Sequence, residues 1–252
     1  MPEHPLLYVN LKADWANKRL KQLHAVRKRW MNSKAHTVRE YDDFEHGVHV
    51  FQFEVARAPN CLPLLIGDFV SCLRSSLDQL AWSVANLPCN QALPFDERAA
   101  RKISFPICKQ DCRKYRDLLE LFPSTATKII DDLQPYKRER TPEEHPLWQL
   151  NELWNIDKHK IIPVNSVAFE PSFSIPKTEW ESFIEILGDG LKVNFPTAFF
   201  NERDVYLKPE IAMQIVLGRE MDPSFEVWFD RLTEINDFVR NDVIPKFMGL
   251  FS

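Results

Sequence analysis

Glycine is scarce in this chain, with six among 252 residues. That scarcity goes with the absence of phosphate-cradling loops: no G-x-x-x-x-G-K-[ST], no G-x-G-x-x-G and no G-x-S-x-G occurs. H-E-x-x-H is missing too, and no serine or cysteine sits in a recognisable nucleophile turn. There is no long hydrophobic run, so no membrane span is predicted. The Met-Pro-Glu-His start does not read as a signal peptide. Charge of one sign is not in excess either. A net charge of −4 offers no global attraction for nucleic acid or acidic membranes, though it leaves room for a local basic patch. The cysteines number five, Cys61, Cys72, Cys89, Cys108 and Cys112. An odd count at irregular spacings predicts reduced thiols and a cytoplasmic chain. Cys108 and Cys112 resemble half a zinc site, but no second Cys/His pair follows at the usual spacing. Neither metal nor cofactor is expected.

What is present is ordinary for a globular protein: 44% hydrophobic and 27% charged residues. The length suits one large domain or two small ones. Eighteen prolines fall mostly between the periodic segments and predict short, stiff connections.

Residues 11–31 predict a helix, with Leu11, Trp15, Leu20, Leu23, Val26 and Trp30 as its apolar face. Its other face carries Lys12, Lys18, Arg19, Lys21, Arg27, Lys28 and Arg29 against Asp14, a local charge of +6. That face is either solvated or a phosphate-contact surface. A β-hairpin is predicted over 36–56, with His36, His46 and His49 as surface residues. Residues 62–87 form a central apolar helix stopped by Pro88. Short helices follow over 111–121 and from a Ser124 cap to about Leu133, then a charged loop at Lys137–Glu144. A further helix spans 146–162. Strands are predicted at Val164–Glu170, Phe183–Leu187, Leu191–Phe195 and Ile211–Leu217, with Val205–Leu207 as a further candidate. Gly188-Asp189-Gly190 joins the middle pair as a tight hairpin. A helix over 224–243 closes the chain, with Phe225, Trp228, Leu232, Ile235 and Val239 on one face. Strands cluster instead of alternating with helices, which favours an α+β fold. Residues 1–252 are treated as one domain: a mainly helical core over 58–162, antiparallel strands over 163–218, and the closing helix.

Ionisable residues interrupt strongly apolar helices in two places. Arg74 and Asp78 are one turn apart, on the same side of the central helix. Asp157 falls on the apolar stripe of the 146–162 helix, while Glu152, Asn155 and His159 share the next stripe. A guanidinium removed from water is costly unless paired, so these positions mark a core network or a site.

The stretch Leu73-Arg74-Ser75-Ser76-Leu77-Asp78-Gln79-Leu80-Ala81-Trp82 resembles one in a group of uncharacterised bacterial proteins, where it commonly reads L-R-S-A-L-D-H-L-A-W. Phe105-Pro106-Ile107, Leu133-Gln134-Pro135-Tyr136 and Leu150-x-x-Leu153-x-Asn155-Ile156-Asp157-Lys158-His159 resemble that group as well. Its L-R-x4-H spacing is similar to the R-x4–6-H motif of HEPN ribonucleases. Those are helical, often dimeric proteins that cleave RNA without metal, their arginine and histidine acting on the scissile phosphate and the 2′-hydroxyl. The resemblance implies a HEPN-like core in which Arg74 is the arginine. The histidine position holds Gln79, which takes no proton at neutral pH.

Two functions follow as expectations. In the first, the chain binds RNA or a nucleotide through a degenerate, metal-independent endoribonuclease site, with a homodimer as the expected assembly. Arg74 holds a phosphate, His159 moves protons, and Asp78, Gln79, Asn155 and Asp157 contact substrate. In the second, the Arg/Asp network only stabilises the helical core, and function lies in dimerisation or partner binding. Exposure separates them: a cleft shared by Arg74 and His159 favours the first, and burial under Trp82 and Trp154 the second. A small-ligand pocket lined by Phe195, Phe199, Phe200 and Trp148 is a third option.

Overall fold

The computed structural model describes residues 4–33, 36–55, 57–90, 101–138, 141–166, 170–172, 184–187, 190–196, 210–212, 215–217 and 227–251. Val205–Leu207, Phe199, Phe200 and the loop residues Gly188 and Asp189 lie outside them. The fold is α+β. Its contacts cluster in two compact units, one of residues 1–24, 63–162 and 230–252, the other of residues 25–62 and 163–229.

The first unit is helical. Helix α1 runs Leu7–Asn32 and α2 runs Cys61–Ala85, each contributing most of its length here. The core stripe of α1 is Val9, Ala13, Ala16, Leu20 and Leu23, extended by Leu6 just before the helix. This differs from the expected face, because Leu11 and Trp15 are on the outside. Ala13 and Ala16 lie on the buried side, so the bulky Leu11 and Trp15 of the neighbouring stripe stay outside. Ser83 Oγ donates to the Pro5 carbonyl at 3.2 Å, while Arg19 Nε forms an ion pair with Asp68 Oδ2 at 3.3 Å. Low numbers on α1 thus meet high numbers on α2, and the two helices are antiparallel. Ile66, Phe69, Val70, Leu73, Leu77, Leu80 and Val84 give α2 a wide buried face.

Helix α3 spans Arg113–Leu119, α4 Ser124–Asp132, α5 Pro135–Arg138 and α6 Pro146–His159. Pro123, not Ser124, is the N-cap of α4, and no side chain caps it. At α6 the cap is His145, whose Nδ1 accepts from the Leu147 amide at 3.2 Å. The final helix begins at Arg231 as α7, Arg231–Asp237, widens into a π-turn at Phe238–Val243 and resumes as α8, Ile244–Phe247. Pro245 lacks an N–H and crowds the carbonyl four residues before it, and the widened turn falls just there. His24 Nε2 and Thr233 Oγ1 at 3.0 Å, and Arg240 Nη1 and Asp14 Oδ1 at 2.8 Å, fix this helix to α1.

The second unit holds the strands. Strands β1 (His36–Asp43) and β2 (Val48–Val55) form the expected hairpin, turning at Gly47 with φ 64°. Strands β3 to β9 are Val164–Ser166, Glu170–Ser172, Ile184–Leu187, Gly190–Pro196, Glu210–Ala212, Ile215–Leu217 and Val227–Trp228. One antiparallel sheet has the order β1-β2-β6-β5; β3-β8-β9 and β4-β7 form smaller ones. Leu187 pairs with Gly190, so β5 and β6 are a two-residue hairpin as expected. Two expected strands, Val164–Glu170 and Ile211–Leu217, each contribute to two sheets. Trp228, expected in the closing helix, is in β9 opposite Val216. An apolar residue at that position satisfies either period, and cross-strand pairing decides it. His49 bridges Asp42 at 2.7 Å and Glu40 at 3.1 Å, and His46 bonds Asp43 at 3.0 Å.

Candidate functional site

Arg74 and Asp78 face the extended segment 105–107 from adjacent turns of α2. Arg74 Nη2 is 3.0 Å from Asp78 Oδ1 and donates to the Phe105 carbonyl at 3.0 Å. Asp78 Oδ1 also accepts from the Phe105 amide at 2.9 Å. One ion pair therefore grips both polar groups of one residue. Trp154 of α6 covers the pair, its ring centroid 5.3 Å from the guanidinium carbon. Arg74 is only 5% exposed, and its Nε and Nη1 are buried without a hydrogen-bond partner. Stacking on the indole is a partial substitute for those bonds.

Burial holds Arg74 below its ordinary basicity, and Asp78 only partly restores it. Burial likewise pushes the Asp78 carboxyl up, against the lowering effect of Arg74 and the Phe105 amide. Desolvation thus outweighs attraction in both members, as expected of a buried pair whose main effect is to fix geometry.

Gln134, fully buried after α4, completes the arrangement. Its Nε2 donates to the Pro106 and Ile130 carbonyls at 3.0 and 2.9 Å, and its Oε1 accepts from the Cys108 amide at 2.9 Å. The four segments that carry the sequence resemblance, 73–82, 105–107, 133–136 and 150–159, therefore meet around one stretch of extended backbone.

The other site residues are placed differently. Asp157 rests on α2 two turns before Arg74: a Cβ on Gly67 would stand 2.3 Å from its Oδ1. Burial raises its carboxyl, and neighbouring Asp68 adds to the effect. With Trp154 at Arg74 and Asp157 at Gly67, α6 runs antiparallel to α2. His159, five residues past Trp154, is carried about 7.5 Å farther along α6, away from Arg74. His159 and Asn155 are exposed. Asn155 Nδ2 donates to Glu152 at 3.4 Å. Gln79 is half-buried, its Oε1 without a partner. Trp82 is exposed and does not seal Arg74. Trp148 is half-buried under Lys109 Nζ, 4.9 Å from its ring.

Sequence reasoning missed two features. One is Gln134, whose segment was noticed without its role. The other is the outer face of α1, where Tyr8, Leu11 and Trp15 are 60%, 52% and 49% exposed. Lys18 Nζ and the Arg19 guanidinium carbon stand 5.3 and 5.2 Å from the Trp15 ring. The acid on this helix, Asp14, is taken by Arg240. Among the described residues Lys12, Lys18 and Lys21 have no acidic partner, and all three are exposed. The signal was legible: 6, 9, 13, 16, 20 and 23 is the better helical stripe, and choosing it leaves Leu11 and Trp15 outside.

No helix among the described residues is long and apolar enough to cross a membrane. No family model matches the chain, and no curated protein or solved structure matches it either.

Proposed function

We propose that the chain binds single-stranded RNA without cleaving it. The face of α1 around Trp15 is the contact surface, and the Arg74–Asp78 pair stabilises the helical core. The observation that carries this reading is an exposed tryptophan flanked by two cations on a helix with further unpaired lysines. Unpaired bases stack on exposed aromatic rings, and lysines and arginines follow the phosphates. Tyr8 and Trp15 are two turns apart on one side, with Lys12 between them. Binding without cleavage is favoured because Arg74 is closed in and α6 carries His159 away from it. A general base must reach the proton it takes.

Fluorescence anisotropy with a labelled single-stranded RNA tests this. Binding should weaken steeply with salt, by about 0.7 in the logarithmic slope for each neutralised phosphate. Trp15→Ala should cost about 1–3 kcal/mol, the range for loss of one stacked base. Lys12→Glu with Lys18→Glu should flatten the salt slope. Equal binding by these variants and wild type would refute the reading. Absent RNA binding together with concentration-dependent self-association through Trp15 would replace it with dimerisation.

A further inference from the structure

An open cleft of about 290 Å³ lies where the C-terminal end of α6 crosses the first turns of α2. Its walls include Leu64, Gly67, Asp68, Asp157, Lys160 and Ile161. Nothing in the RNA-binding reading uses it. Two features distinguish it from an ordinary surface dip. First, Asp157 is half-buried on the wall and has no hydrogen bond or ion pair among the described residues. Its carboxylate keeps contact with water at the open cleft, so a cationic ligand meets it without a competing partner. Gly67 makes this placement possible, since the carboxylate occupies the space where any side chain at 67 would begin. Second, Leu64 and Ile161 are 64% and 67% exposed beside it. Each is a large aliphatic side chain left in water next to a carboxylate with no protein partner among the described residues.

The cleft is complementary to a small molecule with a positive head and an apolar tail. Of the charged groups lining it, Asp68 is partly committed to Arg19 at 3.3 Å, and Lys160 is the one cation. Asp157 is therefore the acid left to receive a ligand. A metal ion is less well served: among the described residues no three His, Cys, Asp or Glu side chains converge. The volume is at the low end for ligand pockets and leaves ample room for a short-chain molecule.

We infer that this cleft binds a short aliphatic ammonium ion, its head on Asp157 and its chain against Leu64 and Ile161.

Isothermal titration calorimetry with methylammonium, butylammonium and 1-butanol tests the inference on the full chain. Butylammonium should bind, methylammonium several-fold more weakly, and 1-butanol not measurably. Asp157→Asn keeps the shape and removes the charge, so it should weaken butylammonium at least tenfold without lowering the thermal midpoint at neutral pH. Ile161→Ser should erase the difference between butylammonium and methylammonium. Gly67→Ala should lower affinity by displacing Asp157. Equal butylammonium binding by wild type and Asp157→Asn, or no binding by wild type at millimolar concentration, would overturn the inference. Trp15→Ala should leave amine binding unchanged, so the two sites stand or fall separately.

Discussion

Arg74 shows how a residue with the marks of a catalytic arginine can serve the core. Its guanidinium is held by Asp78, the Phe105 carbonyl and the Trp154 ring, which together leave little room for a phosphate. Removing one partner of such a pair exposes the cost of the other. Arg74→Ala should destabilise the protein by about 3 kcal/mol, at the low end of the range for buried pairs because Asp78 keeps some contact with water. For a chain of this size that is a fall of about 6–12 °C in thermal midpoint. The Arg74→Met/Asp78→Asn double substitution should cost less than the two single changes combined, since it leaves no unpaired charge. Thermal denaturation measures both. Metal-free RNA cleavage should be absent in wild type, in Gln79→His and in Arg74→Ala. Cleavage by either of the first two that Arg74→Ala abolishes would restore Arg74 to a catalytic role.

The extended segment 105–108 has little secondary structure of its own and depends on its neighbours for every polar contact described. Arg74 and Asp78 hold Phe105, and Gln134 holds Pro106 and Cys108. Phe105 is buried edge-on to Phe247, with ring centroids 6.2 Å apart. Three separated elements thus converge on four residues. Gln134→Leu preserves volume but leaves the Pro106 carbonyl and the Cys108 amide without their partner, while the Ile130 carbonyl keeps the Leu133 amide. It should lower stability by about 2 kcal/mol or more, because buried polar groups without partners bear the full desolvation cost. Urea denaturation of the variant checks this, and an unchanged midpoint would show that water replaces the amide. The outer face of α1 obeys the opposite logic. Trp15→Ala removes an exposed ring, so it should alter RNA affinity while leaving the denaturation midpoint nearly unchanged.

Across the whole molecule, the carboxylates pull stability in opposite directions with pH. Burial raises Asp131, yet bonds from Lys137, Tyr136 and Tyr115 bring it below the ordinary 3.8. Its folded value is depressed, so its contribution is complete above 3.8 and disappears as pH falls through the lower folded value. Asp78 and Asp157 are raised above 3.8 in the folded state, chiefly by burial. Their penalty is full at neutral pH and eases as pH falls through their folded values. Stability should therefore hold or rise slightly on mild acidification and drop below 3.8. Asp131→Asn should flatten the acid limb, and Asp157→Asn should remove part of the mild-acid gain. Thermal midpoints measured from pH 7 down to about 3 decide this.

Local periodicity was enough to place the longer helices and the two hairpins, because a buried face recurs every three to four residues in a helix and every second residue in a strand. The short turns at Pro135–Arg138 and Pro142–Glu144, too brief to show a period, fell in or beside an expected loop. It also singled out Arg74 and Asp78, since one turn of helix sets two residues on one side whatever surrounds them. Tertiary structure decided the rest. Whether Arg74 opens to solvent depends on Trp154, eighty residues away in sequence. That Asp157 meets Gly67 instead of Arg74 follows from the antiparallel crossing of two helices, which no spacing within either one encodes. Leu11 and Trp15 fit one possible apolar stripe of α1, but packing buries the stripe of Val9, Ala13, Ala16, Leu20 and Leu23 instead. Intervals along a chain reveal which side chains share a face, and only packing determines what that face meets.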